Sequence, residues 1–338
     1  MVVEDVVPAP PGDEVLVVED LAVEFRTAHG WVRVVDDVGF RLAAGRTLGL
    51  VGESGSGKSV TSLALLGMIG APHGRVASGS VRLDGTELVG MSERELTRLR
   101  GRKMAMIFQE PRRSLDPAFS VGDQIAETLR AHLGLSRRAA AARAVEMLDT
   151  VGIPAASRRA GDYPHQFSGG MAQRVMLAIA LCCEPDVLVA DEPTTALDVT
   201  VQAKVLDLMR DLQAEMGLAV LFVSHDLGVV AEMCDDVAVM YAGQIVERAP
   251  VDDVFFRPGN PYTAALLEAI PRPDVTGRRL AAIPGMVPPA HDWPPGCRFH
   301  PRCTHADDRC REQVPALVGG DVSVRCLRSD ALELRGVE

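Results

Sequence analysis

The chain predicts an α/β fold built on a mainly parallel sheet, and three observations carry that prediction. Between 186 and 247, apolar runs of strand length alternate with stretches of helix length. A short apolar run, TLGLV at 47–51, enters a glycine-rich loop and leaves as a helical pattern from Lys58 to about residue 69. Two runs of β-branched residues, VLVVEDLAVEF and WVRVVDDVGFRL, alternate in polarity and predict half-buried strands ahead of that core.

The elements follow in order. Residues 1–13 are acidic and proline-rich and predict a disordered tail. Asp84-Gly85 is a favoured hairpin turn between short strands. The charge-dense stretch 92–101 predicts a helix, and MAMIF at 104–108 a buried strand. Residues 121–183 read mostly as helices, broken at Gly152-Ile153-Pro154 and Tyr163-Pro164, so a helical subdomain is expected over about 115–183. Then come a strand at 186–191, a helix at about 199–215, a strand at 218–223, a helix at about 227–233 and strands over 236–247. Nine of the 22 prolines lie between Pro258 and Pro295, and four of the seven cysteines follow them, so a boundary is expected near residue 255. The two domains are then 14–255 and a small, irregular one at 256–338.

Composition narrows the function. With 338 residues, 47% of them hydrophobic, the chain can bury a full core. Acids outnumber bases 46 to 35, a net charge of −11, which argues against a surface built to neutralise nucleic acid. The longest apolar runs, Leu218–Val223 and Val175–Cys183, fall far short of the ~20 residues that span a bilayer. No basic start precedes an apolar run, so no signal peptide is expected and the cysteines belong to a reducing cytosol, free or metal-bound.

Two motifs carry chemistry. Gly52-Glu53-Ser54-Gly55-Ser56-Gly57-Lys58-Ser59 fits GxxxxGK[ST] between a strand and a helix, with Val60 next. There, backbone N–H groups and the helix start converge on phosphate oxygens, Lys58 reaches the β and γ phosphates, and the Ser59 hydroxyl can ligate Mg²⁺. The run Val187-Leu-Val-Ala-Asp191-Glu192 delivers two acids at the C-terminal edge of a buried strand, where open α/β sheets bind ligands. Asp191 is the candidate Mg²⁺ residue and Glu192 the candidate base that polarises water. Between them, Phe167-Ser168-Gly169-Gly170-Met171-Ala-Gln173-Arg174 opens a helix and makes a second anion-binding point.

With that third motif the chain resembles the ATP-binding subunits of ABC transporters, whose signature is LSGGQ-like; Phe167 and Met171 are variants found in the peptide-importer branch. The resemblance implies a nucleotide-binding domain with an antiparallel β subdomain and a helical subdomain, and a head-to-tail dimer that closes on ATP. It implies that Ser168, Gly169, Gly170, Met171 and Asp198 of the D-loop act across the dimer. It also implies that Gln109 is the Q-loop glutamine and His225 the switch histidine. Phe25, 13 residues before Val38, matches the aromatic that stacks on adenine; Trp31 competes for that role, and Phe25 also reads as a core residue. Catalysis would rest on Glu192, His225, Lys58 and Gln109.

QEPRRSLDP from Gln109 to Pro117, YPHQFSGG from Tyr163, Asn260-Pro-Tyr-Thr263 and PPGCRFHPRC from Pro294 to Cys303 resemble the D-type subunit of oligopeptide and nickel importers. Asp116 stands where that pattern has Asn. The likeness implies pairing with an F-type ATP-binding subunit, two membrane permeases fed by an extracellular binding protein, and a place on the cytoplasmic face of the membrane. Cys297, Cys303, Cys310 and Cys326 are spaced C-x5-C-x6-C-x15-C, and four thiolates within 30 residues can close a Cys₄ site. No C-x-x-C pair supports a standard zinc ribbon. The resemblance implies a [4Fe–4S] cluster there; zinc and unliganded thiols are the other readings. His300 and His305 are within reach as substitute ligands, while Cys182, Cys183 and Cys234 read as core. A soluble ABC ATPase, a phosphate-loop kinase and a regulatory protein are the rivals. One nucleotide motif set, no heptad run and intact catalytic positions weigh against them.

Overall fold

The computed structural model describes residues 14–28, 30–195, 197–270 and 282–337; the expected tail at 1–13 lies outside them. Twelve strands are present among the described residues: β1 (Glu14–Thr27), β2 (Gly30–Ala43), β3 (Thr47–Val51), β4 (Gly74–Leu83), β5 (Thr86–Glu87), β6 (Met104–Ile107), β7 (Val187–Asp191), β8 (Ala219–Ser224), β9 (Asp236–Tyr241), β10 (Gln244–Pro250), β11 (Val318–Gly319) and β12 (Ser323–Val324). They form a four-stranded antiparallel sheet in the order β2-β1-β4-β5 and an eight-stranded sheet in the order β11-β12-β10-β9-β3-β8-β7-β6. The five central strands β9-β3-β8-β7-β6 are parallel.

The parallel strands are buried on both faces, which is why they read as continuous apolar runs. Successive side chains point to opposite faces and feed two cores. Val187, Val189, Leu221 and Val223 join the core under the antiparallel sheet, with Leu16, Val18, Phe40 and Val81. Leu188, Ala190, Val220 and Phe222 join the other core, with Ile125, Leu148 and Val175 of the helical region. That region holds helices Val121–Leu133, Arg137–Thr150, Ala156–Arg159 and Gly169–Leu181, each of the three long ones started by a serine: Ser120 accepts from the Asp123 N–H, Ser136 from the Ala139 N–H and Ser168 from the Met171 N–H. The expected breaks at 152–154 and 163–164 stand; a further one falls at Gly134, whose φ of 66° ends the first long helix in the left-handed region. The Asp84-Gly85 turn has positive φ at both residues, 46° and 74°, as a two-residue hairpin between β4 and β5 requires.

The chain after 255 shares this body. Helix Pro261–Glu268 buries Tyr262 and Leu267 in the core, and β12 extends the eight-stranded sheet by pairing with β10 (Glu247↔Val324, Arg248↔Ser323). Buried Glu247 accepts the Gly259 and Asn260 N–H groups at 2.6 and 3.0 Å, and Asn260 donates to the Val246 and Arg325 carbonyls. From 282 to 317 there are only short 3₁₀ turns and the helix Asp308–Glu312, in keeping with the proline content.

Candidate nucleotide site

Strand register builds the site. Ile107 of β6 lies beside Ala190 of β7, Asp191 beside Val223 of β8, and Val51 of β3 beside Ser224. The segments that follow those strand ends therefore open on one sheet edge, and they carry Gln109, Glu192, His225 and the loop from Gly52.

The loop from Gly52 to Gly57 needs its glycines. Gly52 has φ of 148° and a Cβ there would sit 2.1 Å from the Met240 carbonyl oxygen; Gly57 has φ of 107° and caps the helix Lys58–Leu65. The first N–H groups of that helix have no intrahelical acceptor, so they are free to meet an anion. Ser54 and Gly55 form the exposed tip; the Ser56 carbonyl accepts the Gly243 N–H at 2.8 Å, and the Ser56 hydroxyl is buried without a partner. Val60 packs into the core under the antiparallel sheet. Lys58 folds back, donating to the Gly52 and Glu53 carbonyls at 2.7 and 3.1 Å. Burial pushes its ammonium below the usual lysine range, against the charges of Glu192, Asp191 and Glu53.

Ser59 donates from its hydroxyl to Asp191 at 3.3 Å, which brings both candidate Mg²⁺ residues together from two elements. Burial raises the Asp191 carboxyl above its ordinary range; the Ser59 bond and Lys58 pull the other way. Glu192 follows in the left-handed region, φ 48°, its N–H donating to the Val223 carbonyl at 2.9 Å. Its carboxylate accepts Gln109 Nε2 at 2.7 Å and the Thr195 hydroxyl at 2.9 Å, and lies 3.1 Å from His225 Nδ1. Burial pushes this carboxyl up, but the bonds from Thr195 and His225 and the charges of His225 and Lys58 outweigh it and hold Glu192 below the usual glutamate range. The surroundings thus act on the two adjacent acids in opposite senses, burial dominating at Asp191 and hydrogen bonds with positive charge at Glu192. Thr195 is a contact that motif reading missed; its only signal is a hydroxyl three residues after the second acid.

The Ser168-Gly169-Gly170-Met171 segment stands elsewhere. Ser168 caps the helix Gly169–Leu181 by accepting the Met171 N–H at 3.3 Å, and Asp198 caps the helix Val199–Met216 through the Val201 N–H at 3.0 Å. A Cβ on Gly170 would lie 2.3 Å from Val201 Cγ1, so these two helix starts pack on each other. Among the described residues no hydrogen bond or ion pair joins them to Lys58, Asp191 or Glu192. Phe25 is half-buried against the core under the antiparallel sheet, where it and Ile69 leave no room for a Cβ on Gly74, while Trp31 is 41% exposed with the Arg75 guanidinium 4.3 Å above its ring.

In the C-terminal segment each of Cys297, Cys303 and Cys326 feels the charge of other cysteines of the set of four, and burial raises Cys297 to about 11 and Cys303 and Cys326 above the usual thiol range. The Cys297 N–H donates to the Cys310 carbonyl at 2.9 Å, the Arg328 N–H to Cys326 Sγ at 3.4 Å, and Cys310 Sγ to Asp307 at 3.4 Å. Among the described residues no three Cys, His, Asp or Glu side chains stand close enough to hold one metal ion, so the expected metal site has no single-ion geometry here. His300 turns its Nδ1 to the Cys297 carbonyl at 2.9 Å, a local bond and not a ligand position.

An ABC transporter family profile matches residues 35–195, and one for the C-terminal region of oligopeptide/dipeptide transporters matches 246–310. A Brucella abortus protein named as a peptide import ATP-binding protein is 51% identical over 313 residues, covering 92% of this chain and 94% of its own. The chain belongs to the ABC transporter family. A similarly named Brucella ovis protein is 49% identical over 327 residues, covering 93% of this chain and 97% of its own. An ATP-binding cassette solved as a post-hydrolysis dimer with ADP and phosphate superposes at a TM-score of 0.63 with 25% identity, over 70% of this chain and 98% of that one. A subunit of a Clostridium perfringens ABC transporter complex gives 0.61 at 25% identity, over 72% and 90%. The ABC subunit is accordingly an ATPase with the ATP-binding cassette fold. Among the described residues no helix is long and apolar enough to cross a membrane.

Proposed function

We propose that this chain hydrolyses ATP to drive import of peptides, as the peripheral subunit of an ABC importer on the cytoplasmic face of the membrane. The observation that carries the hydrolytic reading is the sheet edge where Lys58, Ser59, Asp191, Glu192, Gln109 and His225 converge. The C-terminal match to oligopeptide/dipeptide transporters supports the cargo class.

The residues present suit MgATP. The glycine loop and the helix start at Lys58 offer N–H groups to phosphate oxygens, with the Lys58 ammonium beside them. Ser59 and Asp191 would hold Mg²⁺, which when bound draws charge from the phosphate oxygens. Glu192, kept ionised, takes a hydrogen bond from an incoming water and orients it on the γ phosphate, while His225 and Gln109 hold Glu192 in place. Ser168, Gly169, Gly170, Met171 and Asp198 lie apart from this group, which supports their acting on the nucleotide of a second ATP-binding subunit, an F-type partner. Phe25 serves as the adenine-facing aromatic. The division at about residue 255 is one of role, between a nucleotide domain and a C-terminal domain that packs into the same sheet and core.

The four thiols Cys297, Cys303, Cys310 and Cys326 would supply the ligand count of a [4Fe–4S] cluster. The Arg328 N–H donates to Cys326 Sγ at 3.4 Å, a bond of the kind that cluster thiolates accept. A [4Fe–4S] cluster would be structural, cross-linking a segment with little regular structure.

Detergent extraction of the tagged chain tests both parts. Two co-purifying permeases, peptide-stimulated ATP turnover, and iron with equimolar sulfide are expected. A solitary chain with peptide-independent turnover contradicts the importer reading, and an iron-free preparation made without oxygen contradicts the cluster.

A further inference from the structure

The segment beyond residue 282 places three arginines against the nucleotide body, Arg302 and Arg325 buried and Arg298 half-buried, and each is the sequence neighbour of one of the four C-terminal cysteines. Arg298, after Cys297, pairs with Asp36 of β2; Arg325, before Cys326, pairs with Asp37 at 2.8 Å. Arg302, before Cys303, pairs with Glu53, the second residue of the phosphate loop. That last contact is two-pronged: Nη1 and Nη2 donate to the two carboxylate oxygens at 2.7 and 2.9 Å, and Nε donates to the Pro284 carbonyl at 2.7 Å. The Arg302 side chain is 5% exposed and lies under Tyr241, in a cluster with Tyr262 and Phe299 whose ring centres are 4.6–5.2 Å apart.

Glu53 is held at both ends. Its N–H donates to the Tyr262 hydroxyl at 2.9 Å, its carboxylate is gripped by Arg302, and its carbonyl accepts Lys58 Nζ at 3.1 Å. One residue thus links the C-terminal segment to the lysine beside the phosphate site. A loop whose amides must converge on phosphate binds more weakly if it has to be ordered on binding, and a rigid brace removes that cost. A two-pronged guanidinium–carboxylate pair with its arginine buried is such a brace, and lysine cannot reproduce its planar fork.

We propose that Arg302 and Tyr262 are positioning residues for ATP: through Glu53 they hold the phosphate loop in its nucleotide-receiving shape, so the C-terminal segment completes the nucleotide site. The proposal rests on the nucleotide reading of that loop. It is tested by titrating MgATP onto the full chain as wild type, Glu53→Gln, Arg302→Lys, their combination, Tyr262→Phe and Asp37→Asn, with turnover at saturating ATP measured on the assembled transporter. Asp37→Asn is the control, since it breaks an equally buried arginine's pair that ends on β2 and not on the loop. Glu53→Gln, Arg302→Lys and Tyr262→Phe should each raise the Kd and KM for ATP about tenfold with turnover at saturation nearly kept. The combined variant should be no worse than its poorer parent, and Asp37→Asn should match wild type. Tyr262→Phe removes only a hydroxyl, so it reports even if the arginine variant unfolds. Affinities equal to wild type throughout, or an Asp37→Asn loss as large as the others, would overturn the proposal. A wild-type chain that binds no MgATP would overturn the nucleotide reading itself, and the brace with it.

Discussion

Asp191 and Lys58 are charged groups that the fold buries, and burial works against both charges. A carboxyl raised above its unfolded value binds its proton more tightly in the folded chain. Asp191 therefore costs stability at pH above its folded pKa, and the cost fades as pH falls through that value. Asp191→Asn should raise the melting temperature of nucleotide-free protein at pH 7, with the gain shrinking toward acid, while Mg²⁺-dependent turnover is lost; scanning calorimetry across pH with an ATPase assay checks both. Gly52 shows the same logic in the backbone, since alanine there meets both φ of 148° and the Met240 carbonyl. Gly52→Ala should cost about 1–3 kcal/mol of stability and abolish MgATP binding, read from denaturant melts and nucleotide titration. These demands were legible in the sequence because the motif fixes them residue by residue. The Thr195 and Glu53 contacts were not, since neither side chain is specified by the spacing that marks the loop or the second acid.

Strands β3, β6, β7 and β8 were visible as short apolar runs, and the structure explains why they lack the alternation of β1 and β2. Both of their faces are covered, so they are apolar apart from Thr47, Asp191 and Ser224 at strand ends, whereas β1 and β2 keep one face polar: Arg33, Arg41 and Arg75 of β4 pair there with Glu24 and Glu14. Leu221, fully buried in the middle of β8, has no room to be shortened, while Val199 at a helix start is 83% exposed. Leu221→Ala should cost about 2–5 kcal/mol in urea unfolding. Val199→Ala should change stability by no more than about 0.5 kcal/mol. The pairing of β12 with β10 was not legible. A two-residue strand in proline-rich chain has no periodicity to read, and only the partner edge at Glu247–Arg248 defines it.

On the scale of the whole chain, the motifs foretold which residues gather at one sheet edge, and register delivers them there. What the sequence could not disclose is that residues beyond 282 reach back across 249 positions to grip Glu53, because no local pattern encodes a contact of that span. The nucleotide body and the C-terminal segment consequently share a sheet, a core and an ion pair, and in the proposed mechanism turnover by the whole depends on Glu192. The most direct test is to measure ATP occupancy and ATP turnover side by side for wild type and Glu192→Gln in the assembled transporter. Glu192→Gln should hold ATP at least as well as wild type while hydrolysis falls by at least ~100-fold, because the hydrogen bonds of Gln109 and Thr195 can still reach the side chain but no base remains to orient water. Hydrolysis undiminished in that variant would contradict the account.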